Sequence, residues 1–132
     1  MKTILVVDDE PTLVATLKYN LERDGHRILT AADGESALLA AREGHPDLIV
    51  LDLMMPVMNG FDFVRELRKN TEWQDIPVVI LTAKDLTGDD RQQLKGNVER
   101  ILQKGDYNRE QLLNEVRELV KTSIRKQPEA RS

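Results

Sequence analysis

The sequence contains no cysteine. Its absence excludes disulfide frameworks, thiolate nucleophiles and cysteine-based zinc sites. A chain without disulfides fits a reducing compartment. At 132 residues the chain has the length of one domain, which can bury enough surface to fold without a covalent or metal staple.

The sequence also lacks long apolar runs and dense clusters of basic residues. The apolar run Ile4–Val7 ends at two acids and is too short for a signal peptide, and no later run approaches the length of a membrane span. The net charge is −4, with lysine and arginine spread along the chain, which argues against nucleic-acid binding. We therefore expect a cytoplasmic module with no nucleic-acid partner and no membrane insertion.

Apolar segments of strand length alternate five times with segments of helical period. The predicted strands cover residues 4–7, 27–31, 48–51, 78–81 and 98–102. The predicted helices carry apolar stripes such as Leu13, Leu17 and Leu21 in the first and Phe61, Val64 and Leu67 in the third. Five successive strand–helix units predict an α/β fold with a parallel sheet covered by helices on both faces.

Local signals set the boundaries of these elements. Gly88 and Gly96 flank the fourth helix and predict that it is short, with Thr87 as its cap. Asn108 and Gln111 resemble a capping box at the start of the last helix. We expect one domain over residues 1–124 and a polar tail over residues 125–132.

Chemically useful side chains follow four of the five predicted strands. Asp8 and Asp9 follow the first strand, Asp52 the third, Thr82 the fourth and Lys104 the fifth. The carboxyl ends of parallel strands meet at one edge of a sheet, where ligands bind. If the strand order is 2-1-3-4-5, Lys104 lies two strands from Asp52, roughly 10 Å away, a distance that its long side chain can span.

Three carboxylates at one edge repel one another unless a cation neutralises them. A ligand set of oxygen atoms without histidine or cysteine favours a hard ion such as Mg²⁺. Mg²⁺ beside a carboxylate nucleophile and a lysine is typical of phosphoryl transfer. Asp52, Thr82 and Lys104 are therefore the candidate catalytic residues.

Four segments carry a resemblance to a known family. They are ILVVDDE at the first strand, LIVLDLMMPVMNG around Asp52, VVILTAKD at the fourth strand and ILQKG at the fifth. In this order they resemble the receiver domain of two-component response regulators, from Lys2 to about Val120. The resemblance implies a flavodoxin-like (βα)5 doubly wound sheet with strand order 2-1-3-4-5.

The resemblance also implies a role for each matching residue. Asp52 would be phosphorylated by a phosphohistidine on a sensor histidine kinase or a phosphotransfer protein. Mg²⁺ would be held by Asp9 directly, by Asp8 largely through water, by Asp52 and by the backbone carbonyl of Met54. The phosphoryl oxygens would contact the Thr82 hydroxyl, the Ala83 backbone N–H and Lys104.

In such proteins, phosphorylation changes a partner-binding face formed by the fourth helix, the fifth strand and the last helix. That face is also a candidate homodimer surface here. The chain would be a signalling module and no turnover enzyme, because it would catalyse only its own phosphorylation and a slow dephosphorylation.

The sequence departs from the family at two positions near the site lysine. Gly105 follows the lysine where many receivers have proline, and Ile101 stands where many have tyrosine or phenylalanine. The chain therefore lacks the aromatic residue of the usual threonine–aromatic switch. The segment ILQKGDYNREQLLNEVREL also resembles receivers at the C-terminal end of hybrid sensor kinases.

Three rival functions fit parts of the same pattern. A Mg²⁺-dependent phosphatase would need a proton donor two residues after Asp52, where this chain has Met54. A phosphorylation-independent binding module on the same fold would have the same affinity for its partner whether or not Asp52 is phosphorylated. A flavodoxin ranks last, because no loop rich in serine, threonine or glycine follows the first strand.

Overall fold

The computed structural model describes residues 2–54, 59–83 and 85–122. In these residues a five-stranded parallel sheet has the order β2-β1-β3-β4-β5. Its strands are β1 (Thr3–Val7), β2 (Arg27–Ala31), β3 (Leu48–Asp52), β4 (Val78–Thr82) and β5 (Arg100–Gln103). The helices are α1 (Pro11–Arg23), α2 (Gly34–Gly44), α3 (Gly60–Lys69), α4 (Gly88–Leu94) and α5 (Arg109–Thr122), with 3₁₀ turns at Thr71–Trp73 and Lys104–Asp106. The predicted fold class and strand order are confirmed.

Alternate residues of the central strands point to opposite faces of the sheet. Leu5, Ile49 and Ile80 pack in one apolar cluster with residues of α2, α3 and α4. Ile4, Val50 and Leu81 pack in a second cluster with residues of α1 and α5. Both faces of the inner strands are therefore buried, as their continuously apolar sequences predict.

Side-chain caps fix where several helices begin. The Thr87 hydroxyl accepts from the Asp90 N–H, and the Asp90 carboxylate accepts from the Thr87 N–H, which forms a capping box for α4. The Asn108 and Gln111 side chains each accept from the other residue's backbone N–H at 2.7 and 2.9 Å, just before and within α5. Both caps predicted from the sequence are confirmed.

Two local predictions need correction. The fifth strand begins at Arg100 instead of residue 98, because a turn through Gly96 (φ +81°) delays its pairing with β4. In α3 the fully buried aromatic residue is Phe63, whereas the predicted Phe61 is only partly buried. The boundary predicted at residue 124 lies outside the described residues, as does the tail over residues 125–132.

In the described residues, no helix is both long enough and apolar enough to cross a membrane.

Gly60 begins α3 in direct contact with the residue that follows β3. Its N–H donates to the Leu53 carbonyl at 3.1 Å. A Cβ atom added to Gly60 would lie 2.6 Å from the Leu53 Cα and 3.0 Å from the Asp52 carbonyl oxygen. Only glycine therefore lets α3 begin this close to the end of β3.

Gly60→Ala should lower the free energy of unfolding by about 1–3 kcal/mol, because the added methyl group meets backbone atoms and forces the strand end and the helix apart. Gly88→Ala is the matched control, since Gly88 also begins a helix but has no atom within 4 Å of an added Cβ. Urea unfolding followed by the fluorescence of Trp73, the only tryptophan, measures both. Equal stability of the two variants would contradict this account of Gly60.

Candidate functional site

The first two site acids follow β1 and have different environments. The Asp8 N–H donates to the Ala31 carbonyl at 3.1 Å, so the chain keeps its strand-like path for one residue beyond β1. The Asp8 side chain is buried, with 4% of the residue exposed, whereas Asp9 is exposed. At this edge of the sheet, the carboxylate of Asp8 is therefore buried and that of Asp9 lies at the protein surface.

Asp52 brings the third carboxylate to the same place. It is the last residue of β3, which lies beside β1, and only 4% of it is exposed. One carboxylate oxygen from each of Asp8, Asp9 and Asp52 lies within 4.8 Å of the other two. The three acids that the sequence predicts at one sheet edge are therefore close neighbours.

Lys104 crosses the sheet edge to reach these acids. It follows β5 directly, and its Nζ atom lies 3.0 Å from Asp8 Oδ2 and 3.6 Å from Asp52 Oδ2. The lysine side chain is largely buried, so water screens these ion pairs less than it screens pairs at the surface. One ammonium group thus balances two buried carboxylates that come from neighbouring strands.

The surroundings of Asp52 raise its pKa to about 6. Burial is the largest cause, because it disfavours the charged form, and the charges of Asp8 and Asp9 add to it. A hydrogen bond from the Met54 N–H to Asp52 Oδ1, at 3.0 Å, and the charge of Lys104 oppose the rise. Asp52 is consequently ionised at neutral pH but accepts a proton in mild acid.

The pKa of Lys104 is also raised, which for this cation favours the charged form. Burial by itself lowers the pKa of its ammonium group, but the hydrogen bond to Asp8 and the charges of Asp8, Asp52 and Glu10 outweigh burial and raise it. Lys104 therefore stays cationic in this pocket.

The other predicted site residues lie at the ends of β3 and β4: Thr82 is the last residue of β4, Ala83 follows it, and Met54 lies two residues after Asp52. Thr82 is fully buried at the end of β4, next to Leu81, which pairs with Asp52 in the sheet. Ala83 follows it and is exposed. Met54 is 54% exposed, which separates it from the buried Asp52 two residues before it. Contacts from the Met54 carbonyl to Mg²⁺, and from Thr82 and Ala83 to a phosphoryl group, stay predictions.

Two charged residues at the site were missed by the sequence reasoning. Glu10 Oε1 lies 3.6 Å from Lys104 Nζ, and Glu10 Oε2 lies 3.6 Å from Arg109 Nη2 at the start of α5. Glu10 directly follows the Asp8-Asp9 pair, so its position in the sequence indicates that it lies near the site. The position of Arg109 gives no such indication, because a basic residue in the first turn of a helix is usually solvated.

The donor set of the acidic cluster fits a hard divalent cation. Its three ligands are carboxylate oxygens with no nitrogen or sulfur donor, and their mutual distances of at most 4.8 Å allow one ion to contact all of them. A carboxylate, a cation site and an ammonium group within a few ångströms can together stabilise the charge of a phosphoryl group.

A family model described as the response regulator receiver domain matches residues 4–117. Among relatives, the chain is 50% identical to the alkaline phosphatase synthesis transcriptional regulatory protein PhoP of Bacillus subtilis over 84 residues, which are 64% of this chain and 34% of that protein. It is 44% identical to protein PilH of Pseudomonas aeruginosa over 85 residues, which are 64% of this chain and 70% of PilH. The chain thus spans about a third of the length of PhoP.

Solved structures agree with the sequence comparison. The response regulator TrrA of Thermotoga maritima, in complex with Mg²⁺ and BeF, has a TM-score of 0.71 and 35% identity, and the match covers 90% of this chain and 99% of that one. The receiver domain of the sensor histidine kinase PA1611 of Pseudomonas aeruginosa, with magnesium in its active site cleft, has a TM-score of 0.74 and 28% identity, covering 92% and 98%. The family model, the relatives and the fold together show that this chain belongs to the response regulator receiver domain family.

Proposed function

We propose that the chain is a phosphoacceptor whose Asp52 takes a phosphoryl group from a phosphohistidine in a Mg²⁺-dependent reaction. The observation that carries the proposal is the position of Asp52, buried beside the carboxylates of Asp8 and Asp9 and 3.6 Å from the Lys104 ammonium group. The donor would be a sensor histidine kinase or a phosphotransfer protein, the partners with which receiver domains interact.

The acidic cluster would hold the metal ion. Asp9 and Asp52 would contribute carboxylate oxygens directly and Asp8 largely through water. The Met54 backbone carbonyl would contribute a further ligand. When bound, Mg²⁺ supplies positive charge that offsets the carboxylates and the phosphoryl oxygens. The Mg²⁺ complexes of TrrA and of the PA1611 receiver support this choice of ion.

The residues of the chain would then carry out the transfer. An Asp52 carboxylate oxygen attacks the phosphorus, the P–N bond to the donor histidine breaks, and the imidazole leaves with the bonding electrons. With a pKa of about 6, Asp52 is mostly ionised at neutral pH, as a nucleophile must be. Lys104 would pair with one phosphoryl oxygen, while the Thr82 hydroxyl and the Ala83 N–H would donate to others.

The product would be an acyl phosphate that is hydrolysed slowly. A phosphatase working through the same intermediate needs an acid two residues after the nucleophile, but Met54 occupies that position and offers no proton. This argues against rapid turnover and for a signalling role, as the family membership does.

The face formed by α4, β5 and α5 would change when Asp52 is phosphorylated. Helix α4 has only seven residues, and Leu94 is its single buried side chain. An element held by so few apolar contacts can shift at low cost in free energy. Ile101 of β5 packs partly buried against the same apolar cluster, so aliphatic packing would take the place of an aromatic switch. A homodimer through this face, an origin in a hybrid kinase and a cytoplasmic location stay predictions.

Incubation with radiolabelled acetyl phosphate and Mg²⁺ should label the wild-type chain, and Asp52→Asn should abolish the labelling because the nucleophile is gone. Asp75→Asn is the control, since Asp75 is an exposed acid before the opposite end of β4. EDTA should remove labelling of the wild type. Retained labelling of Asp52→Asn would refute the assignment, and rapid release of phosphate over many turnovers would favour a phosphatase.

Asp52→Asn should also stabilise the metal-free fold in a pH-dependent way. Because the folded-state pKa of Asp52 is raised to about 6, the folded protein keeps a proton that the unfolded chain loses near pH 4. The contribution of Asp52 to the free energy of unfolding therefore falls as the pH rises from about 4 to about 6. Asparagine mimics the protonated form and avoids this loss, which amounts to roughly 2–3 kcal/mol at neutral pH.

Urea unfolding in EDTA at pH 4 and pH 7.5 measures this difference. The stability gain of Asp52→Asn over the wild type should be close to zero at pH 4 and largest at pH 7.5. A gain that is the same at both pH values would show that the pKa of Asp52 is not raised.

A further inference from the structure

Glu10 lies between the acidic site and the start of α5. It is the residue before α1, but its side chain forms no hydrogen bond that caps that helix. Its N–H donates to Asp8 Oδ1 at 2.9 Å, which fixes its backbone to the site. Its carboxylate instead lies between two cations, with Oε1 3.6 Å from Lys104 Nζ and Oε2 3.6 Å from Arg109 Nη2.

Lys104 is therefore shared among three carboxylates. Its ammonium group forms a hydrogen bond with Asp8 at 3.0 Å and longer ion pairs with Asp52 and Glu10, both at 3.6 Å. An ammonium group has only three N–H donors. Any phosphoryl oxygen that pairs with Lys104 must therefore compete with at least one of these acids.

Glu10 opposes a phosphoryl group on Asp52 in two ways. Its carboxylate competes for the Lys104 ammonium group, and its negative charge repels the negative charge of the phosphoryl oxygens. Asp8 differs from it, because the proposed Mg²⁺ would neutralise Asp8. Both effects of Glu10 have the same sign, so removal of its charge should favour the phosphorylated state.

Arg109 offers Glu10 a second partner. It is the first residue of α5, its side chain is half exposed, and it contacts the Glu10 oxygen that faces away from Lys104. A glutamate that keeps this contact can give up Lys104 without becoming unpaired. The start of α5, an element of the proposed partner-binding face, is thereby connected to the site lysine through one side chain.

We propose that Glu10 is a positioning residue that restrains Lys104 in the unphosphorylated protein, and that Arg109 pairs with Glu10 when Lys104 turns to the phosphoryl group. This regulation rests on the proposed phosphorylation of Asp52. It makes the charge of Arg109, outside the acidic cluster, a determinant of how readily the site holds a phosphoryl group.

Beryllofluoride, a phosphoryl analogue, tests the proposal at a saturating Mg²⁺ concentration, so that altered metal affinity does not enter. Glu10→Gln should bind the analogue about 2- to 5-fold more tightly than the wild type, the range expected for a partly exposed ion pair. Arg109→Gln should bind about 2-fold more weakly, because Glu10 then holds Lys104 alone. The double variant Glu10→Gln, Arg109→Gln should bind beryllofluoride with the affinity of Glu10→Gln. Arg109→Lys, which keeps the positive charge, should retain the wild-type affinity.

Arg65→Gln is the matched control for lost charge. The Arg65 side chain is 60% exposed and that of Arg109 is 50% exposed, but Arg65 pairs with Asp62 at 2.9 Å within α3, outside the face formed by α4, β5 and α5. Its removal should leave the affinity for beryllofluoride unchanged. An effect as large as that of Arg109→Gln would show that general charge, and not the contact with Glu10, is responsible.

The outcomes separate this inference from the function on which it rests. If the wild type does not bind beryllofluoride, or Asp52→Asn binds it equally well, both the phosphoacceptor function and the role of Glu10 fail. If the wild type binds and Asp52→Asn does not, the function stands. In that case, two results would overturn the positioning role alone. One is that Glu10→Gln binds beryllofluoride with the wild-type affinity. The other is that Arg109→Gln weakens binding equally in the wild type and in the Glu10→Gln variant.

Discussion

The contact between one ammonium group and the carboxylates of two neighbouring strands is the interaction on which the site depends. Asp8 and Asp52 are almost fully buried, and burial of uncompensated negative charge is costly. Lys104 reduces this cost, with its Nζ atom 3.0 Å from one acid and 3.6 Å from the other. The compensation is incomplete, because one ammonium group faces three carboxylates that lie within 4.8 Å of one another. The site therefore retains a negative charge excess that favours a further cation.

The parallel sheet makes this arrangement possible. All five strands run in the same direction, so β1, β3 and β5 end at one edge although Asp8 and Lys104 are 96 residues apart in the chain. The apolar clusters on the two faces hold the strand ends in place. Rigid strands thus position Asp52, whereas the short α4 and the edge strand β5, where a response to phosphorylation is proposed, are less firmly packed.

Much of the fold and of the acidic site could be predicted from the sequence, because both follow from short-range patterns. Apolar runs that end in Asp8-Asp9, Asp52 and Thr82 identify buried parallel strands and the edge at which their polar residues meet. The start of β5 could not be predicted, because Val98 is apolar and the turn through Gly96 decides where pairing begins. Phe61 lies three residues before Val64 and Phe63 lies four residues before Leu67, so helical spacing is compatible with either aromatic residue on the buried side.

The role of Glu10 and Arg109 was missed for a different reason. Their contact depends on how the start of α5 packs beside the start of α1, and no local pattern encodes the distance between two helix ends. Lys104 could be predicted, because it comes just after an apolar strand and must therefore lie at the sheet edge where that strand ends. Long-range ion pairs between helix termini emerge only when the tertiary structure is known.

The affinity for Mg²⁺ tests most directly whether Lys104 balances the charge of the acidic cluster. In a calorimetric titration, Lys104→Met should bind Mg²⁺ roughly tenfold more tightly than the wild type does, because the ion then binds among three carboxylates without a competing cation. Lys95→Met, which removes an exposed lysine after α4, should bind as the wild type does. Unchanged or weaker Mg²⁺ binding by Lys104→Met would contradict the account.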